Sequence, residues 1–178
     1  MKPQPRHPWR TALASVPSAK RWLAVALLAL ALPAAAQELK PFTPESLAQI
    51  TASRAGRPFV LAFWSRACAH CQQELADFGR RQIANLVLVS TDTPAESEAI
   101  RATLARHGLE NAEAWVFADE FAERLRYAVD RHWAGELPRS YFYAADGSRR
   151  AVTGRPDAAL IERWLGTDND RRRTATSP

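Results

Sequence analysis

The sequence predicts an α/β domain with a mixed central sheet and helices on both faces. Three observations carry this. Phe59–Trp64 and Leu86–Ser90 are apolar without alternation, as strands covered on both faces are. A stretch of helical periodicity follows each of them. The pattern then changes to two short strand-like runs around Asp146-Gly147, a hairpin turn signal. The order is βαβα, a short βα, then ββ and a last helix, which makes the hairpin the antiparallel edge of the sheet.

Charge and hydropathy divide the 178 residues before any element is placed. Residues 1–36 hold Lys2, Arg6, Arg10, Lys20 and Arg21 and no acid, which is the whole net charge of +5. From Gln37 onward basic and acidic residues balance. A nucleic-acid binder carries its excess charge on the folded part, so nucleic acid is excluded as a partner. The basic start runs into an apolar stretch, Trp22–Leu32, and then Ala34-Ala35-Ala36. These are the three regions of a secretory signal peptide, with cleavage expected after Ala36. The alternative is an uncleaved anchor, although the apolar run falls short of the ~20 residues of a membrane span. Either way the domain, residues 37–166, is expected outside the cytoplasm, in the periplasm, where disulfides persist.

Within the domain, Glu38 to Pro44 holds two prolines and little pattern and reads as a linker. Thr43 is expected to cap a first helix, with Pro44 at its first position, and Gly56 to end it. Phe59–Trp64 is the first strand. Residues 69–83 form a helix that turns Cys71, Leu75 and Phe78 to one side. After the Leu86–Ser90 strand, Asp92 or Thr93 caps a helix with Pro94 just inside it and Ile100 and Leu104 on its buried face. Ala114–Phe117 is a short strand. Asp119 is expected to cap the next helix, whose buried face is Phe121, Leu125 and Val129. A loop, His132–Glu136, leads to Leu137-Pro138 and the strand Ser140–Tyr143. Arg149–Thr153 returns as the edge, and the last helix carries Ala159, Leu160, Ile161, Trp164 and Leu165. Trp115, Trp133 and Trp164 read as packing residues. Residues 167–178, with Arg171-Arg172-Arg173, are expected to be a disordered tail.

Cys68 and Cys71 are the only cysteines. A purely structural bridge over so short a loop removes little chain entropy, ~2 kcal/mol against ~3 for a 15-residue loop. A closed zinc site needs two more ligands, while His70 lies between the cysteines and His107 and His132 are isolated. A redox pair fits better. Cys68 falls at a helix N-terminus, where unpaired N–H groups and the dipole stabilise a thiolate. Cys71, one turn on, can resolve a mixed disulfide.

Ala62-Phe63-Trp64-Ser65-Arg66-Ala67-Cys68-Ala69-His70-Cys71 resembles the active-site segment of thioredoxin-like proteins, and more specifically of the exported TlpA/ResA-like thiol-disulfide oxidoreductases. Glu74 matches an acid that family uses beside its thiols. Leu137-Pro138 before Tyr141-Phe142-Tyr143 matches its cis-proline loop, and Asp146-Gly147 with Gly154 its C-terminal hairpin. The resemblance covers about residues 41–166. It implies a thioredoxin-like fold, thiol-disulfide exchange through Cys68 and Cys71 without a bound cofactor, and protein thiols as substrates, including apocytochrome c and copper-site assembly proteins. It also implies a membrane thiol-disulfide transporter as electron donor. The sequence departs from the pattern in three places. Thioredoxin's buried acid is Ala62 here, the Trp before the first cysteine is Ala67, and the Gly-Pro between the cysteines is Ala69-His70.

These substitutions set the expectations for the site. Glu74 lies about 60° around the helix from Cys71. It is either the replacement proton partner of Cys71 or an exposed acid complementing the helix dipole. His70 either stabilises the Cys68 thiolate, making the pair more oxidising, or faces solvent. Pro138 in a cis peptide would free the Leu137 backbone to pair with an extended substrate, and Trp64 would shield the thiols, fill the core, or do both. Arg66 reads as a solvated loop residue. The expected activity is reductive. The alternatives are a disulfide oxidase or isomerase, or a factor that holds copper(I) on the two thiolates without turnover.

Overall fold

A computed structural model describes residues 37–164. The expected signal segment, the polar tail and Leu165 lie outside these residues. The elements are β1 (Leu39–Phe42), α1 (Ser46–Ser53), β2 (Phe59–Trp64), α2 (Ala69–Arg81), β3 (Leu86–Ser90), α3 (Ser97–Arg106), β4 (Glu113–Phe117), α4 (Ala122–Val129), β5 (Arg139–Tyr143) and β6 (Arg149–Thr153), then α5 over residues 158–164. One mixed sheet has the order β1-β4-β3-β2-β5-β6. β1, β4, β3 and β2 run parallel. β5 and β6 are antiparallel additions on the β2 side.

β2 shows why the sheet is apolar on both faces. All six of its residues are buried. Val60, Ala62 and Trp64 pack with Cys71, Leu75 and Phe78 of α2, with Ile100 and Leu104 of α3 and with Leu160 and Ile161 of α5. Phe59, Leu61 and Phe63 pack on the other face with Ile50 of α1, Leu125 and Val129 of α4, and Trp133. The period of two along a strand sends alternate side chains to the two layers. Trp115 and Trp133 are buried in this second layer, and the Trp164 ring meets Phe142 edge-on at 5.6 Å.

Three expectations are corrected. Glu38 to Pro44 is not a linker, because Leu39–Phe42 forms β1 against β4. Pro41 is tolerated there because an edge strand has one side without ladder partners, and Phe42 anchors it, fully buried against Phe63, Trp115 and Phe117. Thr43 does not cap α1, and Pro44 is not its first residue. The helix starts at Ser46, whose hydroxyl accepts the Thr43 N–H at 2.9 Å. Phe121 is not on the buried face of α4: it is 57 % exposed. Asp119 accepts the Phe121 N–H at 2.9 Å, so the helix begins only at Ala122 and the extended backbone of Phe121 turns its ring outward. Before α3, it is Thr93 that caps the turn Pro94–Glu96; Asp92 has another use, described below.

Gly79 lets α2 approach the segment after α3 closely. A Cβ there would lie 1.8 Å from the backbone carbonyl oxygen of His107. Main chain cannot swing aside as a side-chain tip can, so overpacking here is expected to reach ~3 kcal/mol or more. Gly79→Ala is expected to lower the unfolding free energy measured by urea denaturation by that amount; an unchanged value would mean that α2 and the segment after α3 are not in this contact.

Candidate active site

β2 ends at Trp64, and Ser65-Arg66-Ala67 carries the chain to Cys68, the N-cap of α2. Cys68 has an extended backbone, and its Sγ accepts the Cys71 N–H at 3.1 Å. One of the orphan donors of the helix start is therefore aimed at sulfur. Cys68 and Cys71 are joined in a disulfide, with their Cα atoms 5.2 Å apart. Cys71 is fully buried, whereas Cys68 is half-buried at the rim of the same apolar cluster. An incoming sulfur can reach only the first of the two.

The other predicted residues gather around this corner to different degrees. Trp64 is fully buried in the cluster that contains Cys71. Leu137 is half-buried on the rim of that cluster, and the Leu137-Pro138 peptide is cis. The pairing of Phe63 with Arg139 sets Pro138 beside the Trp64 end of β2. The Pro138 carbonyl accepts the Gly154 N–H at 2.9 Å, which fixes the loop to the end of β6. His70 is exposed on the first turn of α2. Arg66 is exposed but ion-paired with Glu96.

Glu74 is 1 % exposed. The Ser140 hydroxyl donates to its Oε1 at 2.7 Å, and its Oε2 has no partner among the described residues. Burial raises its pKa from 4.5 to about 8, because a carboxylate there has little to solvate it. Asp77 adds to the rise, while the Ser140 bond and Arg155 oppose it. Arg155 is held at the surface by Asp77 at 2.6 Å and Gln73 at 3.1 Å. Cys71 and Glu74 are thus two buried groups one helical turn apart.

Sequence reasoning did not find Ser140 or the partners of Ser65. In the sequence Asp92 reads only as a helix cap. In the structure its carboxylate accepts from Ser65 Oγ at 2.7 Å, from the Arg66 N–H at 2.9 Å and from Ser90 Oγ at 2.8 Å. The one signal was a polar residue at the C-terminal end of each of two neighbouring buried strands.

The strand order, the Cys-x-x-Cys at a strand-to-helix junction and the cis-proline beside it define a thioredoxin-fold domain. Solved structures agree. The chain is similar to a secreted Mycobacterium tuberculosis disulfide oxidoreductase homologous to E. coli DsbE, at 24% identity over 65% of this chain and 85% of that one, with a TM-score of 0.50. It is similar to MTB dsbF, at 20% identity over 65% and 83%, TM-score 0.51. It is also similar to a thioredoxin-family thiol:disulfide interchange protein from Chlorobium tepidum TLS, at 16% identity over 66% and 83%, TM-score 0.53. No protein-family model and no curated protein matches the chain.

The raised pKa of Glu74 makes a stability prediction. Between about pH 4.5 and about pH 8 the folded chain keeps a proton that the unfolded chain has lost. The unfolded state then binds fewer protons, so stability falls as pH rises through this window. At ~1.36 kcal/mol per unit the loss is up to about 5 kcal/mol. Glu74→Gln is expected to flatten that slope in urea unfolding series at several pH values; parallel curves for both proteins would show that Glu74 is not buried as a neutral acid.

Proposed function

We propose that this chain is a thiol-disulfide oxidoreductase of TlpA/ResA type that works in the periplasm and reduces disulfides of protein substrates. The observation that carries this is the asymmetry of the pair, with Cys68 reachable and capped by an N–H while Cys71 is fully buried. In the cycle, the Cys68 thiolate attacks a substrate disulfide, forming a mixed disulfide and expelling one substrate thiolate. Cys71 then passes its proton to Glu74, through the minor fraction of Glu74 that is ionised below about pH 8, and attacks Cys68 Sγ. The second substrate thiolate leaves, and the Cys68–Cys71 disulfide closes. Two electrons pass to the substrate. They are restored by a second dithiol protein, for which a membrane thiol-disulfide transporter is the proposed donor. The chemistry needs no bound cofactor.

Leu137 and Pro138 would take the substrate backbone beside Cys68, with Trp64 closing the floor. His70, exposed next to the nucleophile, would stabilise the thiolate and temper the reducing power of the pair. The basic start of the chain, its apolar stretch and the Ala-x-Ala site support export. So does the similarity to a secreted M. tuberculosis disulfide oxidoreductase. The resemblance of the motif supports apocytochrome c or metal-site assembly proteins as substrates. Among the described residues no helix is long and apolar enough to cross a membrane.

The test is reduction of a protein disulfide, with insulin as probe, by the dithiothreitol-reduced chain. Cys68→Ser is expected to abolish turnover. Cys71→Ser is expected to accumulate a mixed disulfide, visible by mass. Glu74→Gln is expected to slow resolution by ~10²-fold, the low end for a lost general base. Equilibration with a dithiol buffer is expected to give a potential nearer thioredoxin's ~−270 mV than ~−120 mV. A potential at the oxidising end, with no insulin reduction, would overturn the reductive reading.

A further inference from the structure

The three residues that lead from β2 to Cys68 form no helix or strand of their own, yet the loop after β3 holds the chain at Trp64, Ser65 and Arg66. The Thr91 N–H donates to the Trp64 carbonyl at 2.9 Å. Asp92 accepts from the Ser65 hydroxyl and from the Arg66 N–H. Glu96 pairs with the Arg66 guanidinium and reaches back to the Thr93 N–H at 3.1 Å, which stiffens the loop that holds it. Asp92 is itself set by the Ser90 hydroxyl, which donates to its carboxylate at 2.8 Å and accepts its N–H at 3.1 Å. On the far side, Gln72 Nε2 donates to the Arg66 carbonyl at 3.3 Å and Gln72 Oε1 meets His107 Nε2 at 2.9 Å.

Ser65 is where this clasp meets the nucleophile. Its hydroxyl donates to Asp92 and accepts the Ala67 N–H at 3.3 Å. Its carbonyl accepts the Cys68 N–H at 3.2 Å. Ala67 has only a methyl group with which to pack, and it is exposed, so side-chain burial does little to fix this loop. Hydrogen bonds to an ionised carboxylate are among the stronger ones, and here they take over that task. The bond from the Cys71 N–H to Cys68 Sγ depends on where the loop delivers Cys68, since a hydrogen bond weakens steeply as its angle departs from linear.

We propose that Ser65 and Asp92 are positioning residues, a clasp that holds Cys68 where the α2 N-terminus stabilises its thiolate; this rests on the redox reading above. Neither touches a reacting atom. Ser65→Ala is the clean probe, because it removes the hydroxyl and leaves every titratable or charged side chain around Cys68 in place, namely Arg66, His70, Glu74, Asp92 and Glu96.

The experiment is the pH profile of Cys68 alkylation in the reduced full chain. Ser65→Ala is expected to move its midpoint to higher pH and slow alkylation below the midpoint by about threefold or more, as a smaller thiolate fraction requires. Ser65→Thr, which keeps the hydroxyl, is expected to restore the wild-type profile. In Asp92→Asn, amide exchange at Arg66 is expected to quicken by about tenfold as the loop opens. An unchanged midpoint in Ser65→Ala overturns the clasp, and so does a shift that Ser65→Thr fails to reverse. If Ser65→Ala melts too low to assay, the Arg66 amide decides alone, and exchange no faster than wild type overturns the proposal. A wild-type chain that reduces no protein disulfide would instead overturn the redox reading, whatever the variants do.

Discussion

Everything at the active corner depends on the complete burial of β2. The strand has β3 on one edge and β5 on the other, so its backbone bonds are used on both sides. Its six side chains are divided between two closed cores. Such a strand cannot slip, because a shift by one residue would exchange the two sets of side chains between layers of different shape. Its end at Trp64 is therefore a fixed point, and Cys68 stands four residues beyond it. The parallel edge supplies the loop that clasps Ser65 and Arg66. The antiparallel edge supplies the cis-proline. Cys68 sits where these two loops and a helix N-terminus meet, a place set by strand order rather than by any local preference of the motif.

The same register explains how the site has a buried acid although position 62 is alanine. Ala62 lies directly opposite Ser140, and residues directly opposed across an antiparallel pair share a face. Ala62 packs in the layer that contains α2, so Ser140 faces that helix too. There its hydroxyl meets Glu74. The carboxyl group comes from the helix and not from the strand itself.

How much of this was legible in the sequence follows from how local each signal is. β2, β3 and α2 were readable because unbroken apolar runs and a helical stripe are written in consecutive residues. Leu137-Pro138 was readable from its place between a loop and a strand and from its resemblance to a cis-proline loop. β1 was not. Four residues with a lysine and a proline carry no period, and only the parallel partner Glu113–Phe117, more than seventy positions away, makes them a strand. Phe121 failed for a smaller reason: helical spacing assigns it to the buried face only if the helix has already begun. Glu74 could be placed near Cys71 by spacing, but its burial depends on Ser140, 66 residues on. The clasp was invisible because Ser65 and Asp92, 27 residues apart, become neighbours only through the pairing of Trp64 with Ser90.

The placement of Glu74 also bears on why an enclosed Cys71 can take part in the proposed cycle at all. Burial disfavours the carboxylate of Glu74. A surface carboxylate, with a pKa near ~4, would be a poor base for a thiol near ~8.5. Raised to about 8, Glu74 is close to an ordinary thiol, and proton transfer between matched groups is the cheapest kind. Water could not serve as well, since the site that protects Cys71 from unwanted partners also excludes solvent. In the proposed cycle the burial of Cys71 would call for an internal base, and the same burial brings the pKa of Glu74 to about 8.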